Sequence, residues 1–353
     1  MMAIYAIWNN KGGVGKSYLT FQIAAEYALK NPNKKVLVVD LCPQANSSTM
    51  LLGGMENGES VLETIHSNIE KRKTISGYID ERIVSPYISP KTGANYLTQV
   101  QNYNTEIPSN LYLLVGDEQL ENQASKIYGA SINGPDDAWR IVHLWIKDLI
   151  NDVQNYWGEG NAVFIDCNPS FTIYTELALM ASDRLLIPFS ADGSSKRAVK
   201  AVLSLLYGIT RYSGERQSDF FLESEKYKMA LPQIYMYIGN RLTQMNNSSA
   251  SAFKTVVNTI GDEIYAVWQR HAKYFATHPS GAVTPSSKKT FKQMFQFEVN
   301  DANTASVVSS AKGIPIANLS HGFHSVAGKK IMVNQTQLDK QIPNVQELVT
   351  SIE

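Results

Sequence analysis

The chain has 353 residues, 44% of them hydrophobic and 10% aromatic, ample for one large core or for a core domain with insertions. Lys plus Arg and Asp plus Glu each number 32, so the net charge is zero and composition does not indicate a strongly basic nucleic-acid binder, although a local basic face is compatible with it. Only two cysteines occur, Cys42 and Cys167, which argues against a disulfide framework, and no apolar stretch is long enough to cross a membrane; a cytoplasmic globular protein is expected.

Residues 3–8 form a near-continuous apolar run without the charged leader of a signal peptide, and predict a strand buried on both faces. A glycine loop follows, Lys11-Gly12-Gly13-Val14-Gly15-Lys16-Ser17. Leu19, Ile23, Ala24 and Tyr27 then give residues 18–30 helical spacing, which Asn31-Pro32-Asn33 stops. Residues 35–40 predict a second buried strand ending in Asp40. Strand, loop, helix and strand make a βαβ unit.

Further apolar runs lie at 111–115, 162–166, 184–188 and 234–238, with helical patterns over 139–153 and 195–212. This alternation predicts an α/β fold, a doubly wound and mostly parallel sheet flanked by helices, with ligands at the carboxyl ends of the strands. Polar or irregular stretches at 74–108, 212–227 and 277–292 are expected to be surface insertions on a single domain spanning 1–353.

The glycine loop carries the chemistry. A phosphate loop needs glycines so that backbone N–H groups converge on anionic oxygens, a lysine for the β/γ-phosphates and a Ser/Thr hydroxyl for magnesium. Gly12, Gly13 and Gly15, Lys16 and Ser17 fill these roles, with Asn10 where the general pattern has its first glycine. Its position between a buried strand and an amphipathic helix is the context that confirms the motif. A magnesium–ATP site also wants a carboxylate at a neighbouring strand end; Asp166 is the best placed and Asp40 the second.

With its additional Lys11, the loop resembles the deviant phosphate loop of ParA/MinD-type ATPases, closest to the ParA-like partition ATPases. There the extra lysine reaches across a dimer to the partner's ATP phosphates, a role the resemblance assigns to Lys11. Asp40-Leu41-Cys42-Pro43-Gln44-Ala45-Asn46 is similar to the family's switch I pattern Asp-x-Asp-Pro-Gln-Gly-Asn, and residues 164–170 to its Walker B and switch II stretch. Ile187-Pro188-Phe189 falls where the next strand ends, and Lys312-Gly313-Ile314-Pro315-Ile316 matches the Gly-x-Pro-Ile run near the family's C-terminus. The resemblance implies ATP and Mg2+ as cofactors, nucleotide contacts from Lys11 through Tyr18 and from Asn240, Arg241, Val299 and Asn300, and metal binding by Ser17, Asp40 and Asp166. Catalytic roles would fall to Lys11, Lys16 and Asp40.

Cys42 departs from the pattern, standing where the family has the aspartate that positions the attacking water. A thiol accepts hydrogen bonds poorly, so slow hydrolysis is expected unless Asn46 or an insertion residue takes over. Buried small hydrophobes account for Cys42 and Cys167 better than a metal cluster does, since neither C-x-x-C spacing nor a third ligand is present.

The resemblance further implies a homodimer on ATP binding, non-specific DNA binding, a stimulating ParB-like or adaptor protein, and nucleoid association. Residues 345–353 carry two acids and no base, which disfavours MinD-like membrane docking. Basic clusters at Lys71-Arg72-Lys73, at Lys288-Lys289 with Lys292, and at Lys329-Lys330 are candidate phosphate contacts. The alternative is a weakly hydrolysing nucleotide switch that acts through protein partners without DNA.

Overall fold

The computed structural model describes residues 3–353 apart from 69–71, 159, 191, 193, 211–213, 241–249 and 301, and for 250–253 the backbone alone. The apolar runs of the sequence are its strands β1 (Ile4–Ile7), β2 (Lys35–Leu41), β4 (Leu111–Leu114), β5 (Asn161–Cys167), β6 (Arg184–Phe189) and β7 (Gln233–Asn240), joined by β3 (Leu97–Gln99) and β8 (Gln296–Val299), which no apolar run marks. They form one sheet in the order β3-β4-β2-β5-β1-β6-β7-β8. All neighbours are parallel except β3, which runs antiparallel to β4 at the edge.

Helices cover both faces, so the central strands are buried on both sides and read as continuous Val/Ile/Leu runs. In chain order they are α1 (Lys16–Lys30), α2 (Asn46–Leu51), α3 (Gly54–Ser67), α4 (Ile75–Val84), α5 (Gln119–Ile132), α6 (Ala138–His143), α7 (Trp145–Trp157) and α8 (Ile173–Ala181). Then follow α9 (Ser195–Tyr207), α10 (Asp219–Lys226), α11 (Ala250–His271), α12 (Lys288–Phe295), α13 (Thr304–Lys312) and α14 (Gln335–Thr350). A hairpin, β9 (Gly322–Val326) and β10 (Lys329–Val333), stands outside the main sheet. With α13 and α14 it encloses a small core of its own around Val308, Ile316, Val333 and Leu338.

Two predicted helices differ in extent. The 139–153 pattern is broken at Leu144 into α6 and α7, and the 195–212 pattern ends at Tyr207, where left-handed Gly208 (φ 62°) caps α9 and a Cβ would strike Phe221. The stretches expected to be surface insertions hold regular elements with buried residues. Residues 74–108 contain α4 and edge strand β3, with Ile75, Tyr78 and Ile79 in the main core. The 212–227 stretch contains α10, which buries Phe220 and Phe221, and 277–292 runs into α12, which buries Phe291 and Phe295 behind a Ser287–Thr290 capping box.

The apolar side of α14, Leu338, Val345, Leu348 and Val349, is spent on the protein's own cores. Among the described residues no helix is long and apolar enough to cross a membrane.

Candidate functional site

The carboxyl ends of β1, β2 and β5 converge on the glycine loop. Gly13 (φ 70°) and Gly15 (φ 82°) hold left-handed backbone, and a Cβ on Gly15 would collide with the Asn240 amide. That amide donates from Nδ2 to the Val14 carbonyl at 2.8 Å, so β7 braces the loop from behind. Helix α1 begins at Lys16 with no side-chain cap and no acid in its first turn. Its leading N–H groups and dipole therefore point at the cleft without an internal anion, as a phosphate site requires.

Lys16 is buried, and its Nζ donates to the Lys11 carbonyl at 2.8 Å. Burial pushes its pKa down, opposed by the nearby Asp166 carboxylate. Asp40 and Asp166 are paired in register on adjacent parallel strands, both fully buried. Their environments separate them.

Asp40 was expected to bind metal and take part in catalysis, but its oxygens are already engaged by the chain. Oδ1 accepts from the Cys42 N–H at 3.1 Å, and Oδ2 from the Ser48 N–H at 2.9 Å and the Ser48 hydroxyl at 2.7 Å. It positions the turn into α2, where Ala45 holds left-handed backbone (φ 49°) at the place of the pattern's glycine. Asp166 is the opposite case, with neither oxygen hydrogen-bonded among the described residues. Burial and then Asp40 push its pKa up to about 7, against the Ser17 and Ser47 hydroxyls and Lys16, which favour the ionised form. A buried, unpartnered carboxylate beside a serine hydroxyl fits a divalent cation.

Lys11 does not line the cleft of ≈ 810 Å³ that opens over Gly12, Gly13, Lys16 and Ser17. Its ammonium reaches instead to the loop after β6, where it pairs with Asp192 and donates to the Ser190 hydroxyl at 3.0 Å and the Ser195 hydroxyl at 3.5 Å. Burial would raise the Asp192 pKa, but Lys11 and the Ser190 and Ser194 groups outweigh it and hold the carboxyl well below its ordinary value.

Residues 2–218 match the model of an AAA domain family, AAA_31. The chain belongs to that family, and within it to the ParA/MinD-type P-loop ATPases. The Soj sporulation initiation inhibitor protein of Bacillus subtilis is 28% identical over 224 residues, covering 63% of this chain and 71% of that protein. The chromosome partitioning protein ParA of Myxococcus xanthus is 25% identical over 189 residues, covering 54% and 52%. The Cyanothece McdA–ATP complex superposes with a TM-score of 0.59 at 16% identity, covering 100% of this chain and 97% of that one, a likeness of fold. The chain spans between about half and seven-tenths of the length of the curated relatives it matches.

Within this ParA/MinD-type site, Cys42 lines the cleft as a buried thiol whose pKa is pushed up to about 12, by burial first and then by Asp40 and Asp166. It is a neutral donor, its Sγ 3.8 Å from Asn168 Oδ1. Asn46, the other candidate for holding water, is exposed at the cleft and donates to Gln44 at 3.1 Å. Cys167 is buried and also lines the cleft, and among the described residues no group of three or more His, Cys, Asp or Glu is gathered as metal ligands.

The base-side candidates are redistributed. Val299 is wholly buried in the core, and the Asn300 backbone N–H donates to Asn344 at 2.8 Å, so neither lines the cleft. Ser306, Val307 and Ser310 of α13 line it instead, with Tyr18 at their foot; Arg241 lies outside the described residues. Of the basic clusters, Lys71 is also outside them and Arg72 is committed to buried Asp117 through two hydrogen bonds, the second at 2.7 Å. Sequence reasoning missed Asp192 and Ser48. A Ser-rich turn after a strand end is the available signal for the first, and nothing local marks the second.

Proposed function

We propose that this chain is a ParA-like positioning ATPase that dimerises when ATP is bound, holds DNA without sequence preference, and is released when an adaptor or ParB-like protein stimulates hydrolysis. One observation carries the reading: Lys11, on the phosphate loop itself, sends its ammonium out of its own cleft to the face beside it. A lysine so placed can serve a phosphate bound in a second copy but not one in its own. In the proposed site the loop N–H groups and Lys16 hold the triphosphate, and Ser17 and Asp166 hold magnesium, which supplies charge neutralisation when bound. Asp40 is a positioning residue for switch I.

DNA binding is supported by a concentration of charge. Helices α9, α11 and α12 carry eight Lys or Arg residues against two acids, in a protein of zero net charge. Glu263 pairs with Lys196 and Lys200, and Asp262 with Lys288 and Lys292, which knits the three helices into one face. Arg197, Lys254 and Lys289 are exposed on it, with no ion pair among the described residues. The triple change Arg197→Ala, Lys254→Ala, Lys289→Ala is expected to weaken ATP-dependent DNA binding and to lower the salt slope by about 2–3. ATP-dependent dimerisation without any salt-sensitive DNA binding in the unaltered protein would instead favour a switch acting only through protein contacts.

Slow turnover follows from the neutral Cys42 thiol. Cys42→Asp is expected to raise single-turnover hydrolysis about a hundredfold, the low end of what a positioned acid–base group contributes. Unchanged turnover would relieve Cys42 of limiting the rate.

A further inference from the structure

The C-terminal lobe overhangs the nucleotide cleft. Helix α13 walls the cleft, packs against α3 on one side and against the β9–β10 hairpin on the other, and Val326 of the hairpin reaches the cleft mouth. The hairpin turns through Ala327 (φ 47°) and Gly328 (φ 74°), and among the described residues its two strands pair only with each other.

Register assigns its sides. Val326, Ile331 and Val333 face the lobe's core, which puts Phe323, Ser325, Lys330 and Met332 on the outer side. The directly opposed pair Phe323 and Met332 is 72% and 41% exposed. At the same cleft mouth Met55, at the start of α3, is 57% exposed and Val307 53%. An aromatic–methionine pair on the open face of a two-stranded ribbon is the composition of a contact surface, and Met55 and Val307 add exposed apolar side chains at the cleft that Val326 of the same hairpin lines.

Charge selects the occupant. Lys330, on the outer side, is exposed with no ion pair among the described residues. Helix α3 carries exposed Glu56, Glu59 and Glu63 and no Lys or Arg. Within one chain α13 packs against both the hairpin and α3, and Lys330, Glu56 and Glu63 make no ion pair among the described residues, so the complementary charges are left for a second copy.

We infer that the outer face of the β9–β10 hairpin docks on α3 of a second copy, Phe323 and Met332 against Met55, Lys330 against Glu56 and Glu63. A two-fold axis uses each surface twice, so two such contacts flank the paired clefts. The inference rests on the ATP-dependent dimer proposed above and names the surfaces that hold it.

The test is sedimentation velocity with ATP, with ADP and without nucleotide, alongside titration of a fluorescent ATP analogue into monomer at dilute concentration. Phe323→Ser with Met332→Ser, and Lys330→Glu, are each expected to weaken ATP-dependent dimerisation by about tenfold or more while monomer nucleotide affinity is kept. Glu56→Lys with Glu63→Lys should restore dimerisation of the lysine variant. Hairpin variants that dimerise like the unaltered protein, a loss of monomer nucleotide affinity, or a failed charge-swap rescue would each overturn the inference alone. An unaltered protein that stays monomeric with ATP overturns the dimer reading, and this one with it.

Discussion

Asp166→Asn is expected to raise the melting temperature of the nucleotide-free protein at pH 8 and to abolish the further rise that magnesium–ATP brings. The sign follows from the direction of the shift. The Asp166 carboxyl titrates near about 7 in the folded protein because burial and Asp40 oppose its charge, whereas it ionises in the unfolded chain near the ordinary aspartate value. Between those values the folded state holds the extra proton, so stability falls as pH rises and the penalty is complete above about 7. Asparagine removes that penalty, by on the order of 2 kcal/mol once the cost of a buried amide is set against it, which is about 3 °C for a chain of this size. At pH 5 the gain should shrink. The same change takes away the buried carboxylate of the site that only the Ser17 and Ser47 hydroxyls approach, so magnesium–ATP binding should weaken by ~100-fold or more. Scanning calorimetry at both pH values, with and without magnesium–ATP, reads both effects. An Asp166→Asn protein destabilised at pH 8, or still stabilised by magnesium–ATP, would refute the assignment.

Lys11 gives the second large effect, and two substitutions should move it in opposite directions. Lys11→Ala is expected to reduce ATP-dependent dimerisation by ~100-fold, because a charge-assisted contact to phosphate in a closed interface is removed from both copies at once. Asp192→Asn should strengthen dimerisation. In the single chain Lys11 is parked against Asp192, Ser190 and Ser195, and must leave them before it can serve another phosphate. The pair is partly exposed and screened by water, so its release is worth no more than about 1 kcal/mol, roughly two- to fivefold in the dimerisation constant. Light scattering of the two variants with ATP decides the matter. A Lys11→Ala protein that dimerises normally would remove the trans role, and an Asp192→Asn protein that dimerises more weakly would show that Asp192 supports the interface.

The loop, its strand and its helix were legible because their signal is local. Glycines at positive φ, a lysine and serine at fixed spacing, and an unbroken Val/Ile/Leu run are all set by neighbours in the chain. The central strands could be placed to within a residue or two for the same reason, since burial on both faces removes polar interruptions. Elements whose burial is partial were harder to read. Helices α10 and α12 and edge strand β3 lie in polar stretches, each anchored by only a few large or alternating side chains.

Residue identity by itself determined that this chain is built around a phosphate loop with two lysines, between strands that end in Asp40 and Asp166. It could not divide labour between those carboxylates, which look alike along the chain. Ser48 and the Cys42 N–H saturate Asp40, while Asp166 is left without a partner, and that difference comes from contacts made across the turn into α2. Likewise Lys11 and Asp192 are far apart in sequence and meet because β1 and β6 are neighbours in the sheet. Charge, spacing and periodicity are properties of the chain, but whether a buried oxygen finds a donor is decided only when distant segments pack.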